Sequence, residues 1–269
     1  MKELHIEEIQ CKSLLNRSKL SFTEYTLNSY EGCGFGCSYC YVPVLRMRHR
    51  QDDPIPWGGW VKVKVNAADV LRREMLDVDM NARILVGTAT DSWQPIEKRY
   101  RISRAMLQEL AYYPNPVRIM TRSPLLIRDI AILQRMHDVQ ISVSIPTFDE
   151  ATRRIIEPHA PAIPSREALV KSLVRARVPV TINWCPLLPG VIDTEWAVRR
   201  YCEHAGKLGV RRMMCGSLHY QEFLGVIPPA LRERYLAQNT FTPRLTWNGL
   251  REAVAYWSKR YGIECQITY

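Results

Sequence analysis

Residues 32–41 read Gly32-Cys33-Gly34-Phe35-Gly36-Cys37-Ser38-Tyr39-Cys40-Tyr41. The spacing is C-x3-C-x2-C, set in a glycine-rich loop flanked by aromatics. Three thiolates this close can hold three irons of a cubane cluster, whereas four are needed to close a four-iron four-sulfur cluster with protein ligands alone. A site one ligand short keeps an open coordination position, and open positions are where metals do chemistry. Two plainer readings compete. A zinc site wants a second pair of ligands at similar spacing, yet Cys11, Cys185, Cys202, Cys215 and Cys265 stand singly, with no second C-x-x-C. A disulfide framework belongs to short secreted chains, and Met1 to Gln10 is charged and lacks the apolar core of a signal peptide. The spacing favours a cluster, with zinc as the alternative.

The 269 residues, 46% of them hydrophobic, suit one large α/β domain with small extensions. No run of about 18 apolar residues occurs, so no membrane span is expected. Eight cysteines without a targeting segment fit the reducing cytoplasm, which an oxygen-labile cluster also needs. The net charge of +10 favours an anionic or phosphorylated partner by attraction, but it does not single out nucleic acid. The densest basic run, Arg46-Met47-Arg48-His49-Arg50, follows directly on the cysteine loop and reads as an anion-binding patch or as a solvated loop.

Apolar β-branched runs alternate with helical periods along the chain, as βα units around a parallel sheet require. A first strand ends near Leu27, residues 42–60 read as a long irregular connection, and a helix is expected near Ala68 to Asp77. Further strands fall at Ile84 to Gly87, Val117 to Met120, Val139 to Ile145, Val178 to Asn183 and Arg211 to Met214. Helical spacing joins Ile102, Met106, Leu110 and Tyr113, covers Pro124 to Met136, joins Leu169, Leu173 and Ala176, and returns near Thr194 to Leu208. Beyond Ser217 the alternation weakens. A helix starts at Pro228-Pro229, another carries Leu250, Val254, Trp257 and Tyr261 on one side, and Ile263 to Thr268 reads as a short edge strand. The pattern predicts a partial, open (β/α)6 barrel with a short C-terminal helical extension: residues 1–24 as an N-terminal extension, 25–217 as the barrel and 218–269 packing on it.

Active sites in such barrels lie at the C-terminal ends of the strands. There the sequence offers Thr90, Asp91 and Ser92, then Arg122 and Ser123, then Ser144, then Asn183 with Cys185, then Cys215. For any one of these the competing role is a helix cap or turn. For the thiols it is that of a small buried hydrophobe. Asp91, Glu97, Asp193 and Glu222 could hold a substrate hydroxyl or serve as structural hydrogen-bond partners.

Several segments together resemble one family. Asn28-Ser29-Tyr30-Glu31-Gly32-Cys33 with Cys40-Tyr41 is similar to the N-P-Y-x-G-C…Y-C-Y pattern of the spore photoproduct lyase-like branch of the radical SAM superfamily. Thr90-Asp91-Ser92-Trp93-Gln94-Pro95 with Glu97 resembles its T-D-x-x-Q-P-x-E, and Thr121-Arg122-Ser123 with Arg128-Asp129 its T-K-S…R-D. Ser144-Ile145, Glu157-Pro158 and Arg166 resemble S-(I/L)…E-P…R, and Pro186 to Gly190 with Asp193 resembles P-x-x-P-G-x-N-D. Order and spacing agree from about residue 25 to 194.

The resemblance implies a [4Fe-4S] cluster on Cys33, Cys37 and Cys40, with S-adenosylmethionine (SAM) chelating the fourth iron. It places Ser92, Arg122 and Ser144 near SAM, with Arg122 in place of the family's lysine as carboxylate partner, and the strand-end positions add Thr90, Asp91, Ser123 and Asn183 as candidates for the same pocket. It gives Tyr39 and Tyr41 the places of tyrosines implicated in hydrogen-atom relay. It also implies a one-electron reductant such as flavodoxin or ferredoxin. Phe35 stands where the family usually has histidine, Ser29 where proline is usual, and Gly87-Thr88-Ala89 where the lyase's hydrogen-donor cysteine should fall. The implied activity is therefore radical initiation, of lyase or isomerase type, on a nucleotide, nucleic acid or other phosphorylated compound. Cys185 and Cys215, expected at the barrel mouth, offer the alternative of an epimerase or tailoring enzyme on a sugar or natural product, with a thiol as hydrogen-atom donor. A non-enzymatic zinc module for nucleic acid is the third reading.

Overall fold

The computed structural model describes residues 4–48, 54–188, 194–217 and 245–268. Its main sheet runs, edge to edge, β11 (Glu264–Thr268), β10 (Arg212–Ser217), β9 (Val180–Leu187), β8 (Asp138–Ser144), β7 (Pro116–Thr121), β6 (Ile84–Val86), β3 (Tyr25–Leu27) and β2 (Leu15–Arg17). Every neighbouring pair is parallel except β2 with β3. The terminal strands β2 and β11 do not pair with each other among the described residues, so the sheet stays open. A second, three-stranded sheet joins β1 (His5–Ile9), β5 (Trp60–Lys64) and β4 (Tyr30–Gly32), with β4 antiparallel to β5.

The strands are parallel because helices return the chain between them. Short apolar runs such as Ile84-Leu85-Val86 are buried throughout, as expected of strands covered on both faces. The helices begin where the sequence supplies caps. Asp149 accepts from Thr152 N at 3.0 Å ahead of Glu150–Ile156, and Thr194 from Ala197 N at 3.2 Å ahead of Glu195–Lys207. Ser123 accepts from Leu125 N ahead of the 3-10 helix Pro124–Asp129, which passes into a single helical turn at Ile130–Leu133.

Two departures from the sequence reading are local. Residues 42–60 are not one irregular connection: Val42–Arg48 is a helix, with Pro43 in its first turn where a missing N–H costs nothing, and Trp60 opens β5. Between β8 and the helix Ile163–Arg175 lies the further helix Glu150–Ile156. The C-terminal stretch follows the sequence reading, a helix and then an edge strand. After the helix Trp247–Arg260 the chain returns as β11, parallel to β10, and extends the barrel sheet. The expected helix at Pro228-Pro229 lies outside the described residues, as do His49, Arg50, Pro189, Gly190, Asp193 and Glu222.

Candidate functional site

The cysteine loop leaves β4 and is fixed from two sides. Gly32 has φ of +77°, and a Cβ there would come within 2.5 Å of the Trp60 carbonyl oxygen on β5, so only glycine fits. Gly36 (φ +55°) lies against Gly58, where an added Cβ would sit 3.1 Å from the facing Cα. From the other side, Gln94 accepts from Gly34 N at 2.8 Å and its amide reaches Thr90 Oγ1 at 2.9 Å. Thr90 Oγ1 in turn donates to the Gly32 carbonyl at 2.5 Å. Phe35, 1% exposed, packs with Cys33, Cys37 and Ala160, and Tyr39, Cys40 and Trp57 close the cluster. Burial pushes all three thiols up, Cys40 to about 12, so without iron they are neutral. Metal ligation would displace their protons. Among the described residues no three His, Cys, Asp or Glu side chains converge as ligands of a single ion.

Arg122, just past β7, reaches into this loop. Its Nη1 donates to Cys37 Sγ, to Tyr39 Oη at 3.2 Å and to Glu157 Oε1 at 2.7 Å. Glu157 is fully buried, accepts also from Tyr39 Oη and Arg166 Nη2, and is held below the usual carboxylate range by Arg166 and Arg122 in spite of its burial. Arg166, equally buried, binds the Ser144 carbonyl at 3.1 Å and so ties the network to the end of β8. Tyr41, at the loop's far end and 40% exposed, donates to the Thr88 carbonyl.

Several expected cofactor ligands turn inward instead. Asp91 accepts from Trp93 N at 2.9 Å, Thr121 Oγ1 at 2.7 Å and Arg122 N at 2.8 Å, and burial raises its pKa. Thr90 is occupied with Gly32 and Gln94, and Ser123 caps a helix. Glu97 is engaged by Tyr30, Arg128 and the amides of Ser103 and Arg104. The carboxylates of Asp91 and Glu97 thus accept from neighbouring groups of the fold, as structural hydrogen-bond partners do. Three polar atoms behave differently: Ser92 Oγ, Arg122 Nε and Asn183 Oδ1 are buried with no hydrogen-bond partner. The nearest carboxylate to Arg122 Nε is Asp91, at 4.0 Å.

Register sorts the strand ends by face. Ser144 on β8, Asn183 on β9 and Met214 on β10 are aligned partners. Trp184, on the opposite face, stacks on Tyr201 of the helix Glu195–Lys207 at 3.6 Å, so the Ser144–Asn183 face is the inner one. Cys185 shares it: a Cβ on Gly216 would meet its Sγ at 3.3 Å. Burial lifts the Cys185 thiol to about 12. Cys215 pairs with Trp184 and faces the helices, fully buried, its Sγ 3.7 Å from Cys265 Sγ. The expectation that both thiols face the mouth therefore fails for Cys215, because it falls on the odd side of the strand's two-residue period. The sequence reading missed Trp57 beside the cysteines and the role of Gln94 as clamp. Trp57 lies in a stretch read as loop, and only the paired glycines near it hinted at a close approach.

Residues 27–202 match the Radical SAM superfamily. An uncharacterized protein of Methanocaldococcus jannaschii is 25% identical over 237 residues, covering 88% of this chain and 84% of its own. An uncharacterized protein of Mycobacterium tuberculosis is 31% identical over 198 residues, covering 70% of this chain and 57% of its own. Among solved structures, spore photoproduct lyase complexed with dinucleoside spore photoproduct superposes with a TM-score of 0.70 over 98% of this chain and 82% of that one. At 13% identity that likeness is one of fold.

Proposed function

Because the chain belongs to the Radical SAM superfamily, whose members use a [4Fe-4S] cluster and SAM, we propose that it is an enzyme in which the two supply a 5′-deoxyadenosyl radical to take a hydrogen atom from a substrate. The observation that carries this reading is the loop that brings Cys33, Cys37 and Cys40 together, locked by Gly32, Gln94 and Thr90, with Arg122 reaching Cys37. The donor set fits the cofactors. Cys33, Cys37 and Cys40 would ligate three irons and leave the fourth to SAM. Arg122 Nε offers a cation to a carboxylate, while Ser92 Oγ and Asn183 Oδ1 can bind ammonium or hydroxyl groups, with Ser144 beside Asn183 on the inner face. Thr90, Asp91 and Ser123 serve by positioning those groups. Tyr39 is held by Glu157, which leaves Tyr41 as the more accessible of the two relay candidates.

The net charge of +10 supports a nucleotide, nucleic-acid or other phosphorylated substrate, and the lyase of similar fold binds a dinucleoside photoproduct. Cys185 supports a second reading, an epimerase. As a neutral thiol on the inner face it could pass a hydrogen atom to a substrate radical. The resulting thiyl would take one electron from the flavodoxin or ferredoxin that also serves the cluster and one proton from solvent. In this reading residues 25–217 form the catalytic barrel, with 1–24 and 218–269 as additions to it, and the enzyme works in a reducing cytoplasm. Among the described residues no helix is long and apolar enough to cross a membrane.

The test is anaerobic. Iron, sulfide, SAM and dithionite are added, and 5′-deoxyadenosine is followed by liquid chromatography. Product that vanishes in Cys33→Ala, Cys37→Ala and Cys40→Ala is the expected result. Bound zinc, no cluster and no product would overturn the proposal.

A further inference from the structure

We propose that the exposed side of the helices Glu195–Lys207 and Trp247–Arg260 is a docking surface for single-stranded nucleic acid, stacking bases on Trp196 and Tyr256 and setting phosphates against Arg199 and Arg200. This deepens the nucleic-acid arm of the proposed function and rests on it. The two helices pack on each other and turn Val198, Tyr201, Ala205, Leu250 and Val254 into the core. Their other side is not the plain charged surface that an amphipathic helix presents to water. Trp196 is 59% exposed and Tyr256 62%. Arg200 lies over the Trp196 ring at 4.9 Å, and Arg199 reaches across from one helix to the other to lie over Trp257 at 5.1 Å. Trp257 meets Tyr256 edge-on at 5.0 Å and stacks on Tyr261 at 6.2 Å. Rings and guanidinium groups thus alternate over the surface of both helices.

The charge on this surface points to an anion. The two helices carry six Lys or Arg against three Glu, and two of those carboxylates are engaged. Glu195 accepts from the Trp257 indole N–H at 3.2 Å, and Glu203 pairs with Lys207 at 2.6 Å. Arg199 and Arg200 are exposed, and among the described residues neither is in an ion pair with a carboxylate. An acidic protein would use these cations and leave the rings idle. A single strand uses both, because its bases have faces that stack on aromatic rings and its phosphates alternate with them along the chain. A duplex keeps its bases stacked on each other and offers the rings nothing.

The probe is fluorescein-labelled oligothymidylate, followed by anisotropy at several salt concentrations. Wild type should bind, and more weakly as salt rises. Trp196→Ala and Tyr256→Ala should each weaken binding by about 10-fold, the loss of one stacked base. Arg200→Gln should flatten the dependence of log K on log salt by about 0.7, the share of one phosphate on a single strand. All three positions are exposed, and circular dichroism checks each fold; Trp196→Gln takes the place of Trp196→Ala if alanine disturbs it. Polyglutamate of matched charge should displace the oligonucleotide poorly. No binding by wild type, or unchanged affinity in both aromatic variants, overturns the inference. Equal displacement by polyglutamate also overturns it and makes the surface one for an acidic protein. On the same preparations, 5′-deoxyadenosine is measured without oligonucleotide. If it forms, a negative binding result falls on this inference alone; if wild type forms none, the functional reading beneath it fails as well.

Discussion

Gln94 shows how a side chain far from any chemistry can decide it. Its amide oxygen takes the Gly34 N–H and its amide nitrogen braces Thr90, which holds Gly32. The cysteine loop has no regular structure to satisfy its own backbone, so these bonds take the place of a ladder. Gln94→Leu keeps the volume but leaves the Gly34 donor and the Thr90 hydroxyl short of a partner. A cost of about 1–3 kcal/mol is expected for a buried group left unsatisfied. Because that cost falls on the loop, iron content after reconstitution should drop further than the melting temperature does. A variant that loads iron as wild type does would mean that the glycine contacts alone hold the loop. Asp91 teaches the complementary lesson. A carboxylate after a strand looks like a ligand in the sequence, but the amides that surround it and the Thr121 hydroxyl belong to the fold. Residue type shows what a group can bind, not which partner reaches it first.

Glu157 joins elements that the sequence separates. It ends the helix Glu150–Ile156, pairs with Arg166 of the helix Ile163–Arg175, and takes Arg122 from the end of β7 and Tyr39 from the cysteine loop. Glu157→Ala would leave Arg166 buried and unpaired, and about 3–5 kcal/mol of destabilisation is expected in urea unfolding. The carboxylate's pKa is lowered in the folded protein. Its contribution to stability is therefore complete above the ordinary carboxylate value and is lost as pH falls through the lower, folded value. Stability profiles against pH should be flatter on the acid side in Glu157→Gln than in wild type. Equal slopes would place the acid sensitivity elsewhere. The parallel strands were legible because most carry a short apolar run, like Ile84-Leu85-Val86, or alternate apolar and polar residues, like Val139 to Ser144, and their order follows from the βα rhythm. The small sheet was not. Trp60-Val61-Lys62-Val63-Lys64 alternates as a strand does, but its partners β1 and β4 lie far off in sequence, and the prolines and glycines before it read as loop. Pro43 misled for a related reason, since proline breaks a helix interior yet suits a first turn. The Glu157–Arg166 pairing left its trace only as a short motif whose physical content appears once both groups are seen to be buried.

The two faces of the main sheet divide the labour of the protein, and Cys185 and Cys215 mark that division. The inner face carries Ser144, Asn183 and Cys185 at the strand ends; the outer face carries Trp184 and Cys215 under the helices Glu195–Lys207 and Trp247–Arg260. Cys215 touches Cys265 of β11 and has no exposed surface, so its sulfur fills space in the core. Cys215→Ala should lower stability by about 1–3 kcal/mol, as core truncations do, and leave SAM cleavage per folded molecule unchanged. Cys185→Ala, at a half-buried position, should cost less stability and, if Cys33, Cys37 and Cys40 hold the cluster as proposed, also leave SAM cleavage intact. The two variants part at the step after hydrogen abstraction. If a thiol quenches the substrate radical, deuterium from D2O enters the product of wild type and Cys215→Ala but not that of Cys185→Ala, because thiol protons exchange with solvent and carbon-bound hydrogens do not. Undiminished deuterium in Cys185→Ala would remove the thiol donor and leave the tyrosines of the cysteine loop to carry the hydrogen. Loss in Cys215→Ala alone would contradict the register of β10 against β9, since only a strand displaced by one residue could bring that sulfur to the inner face.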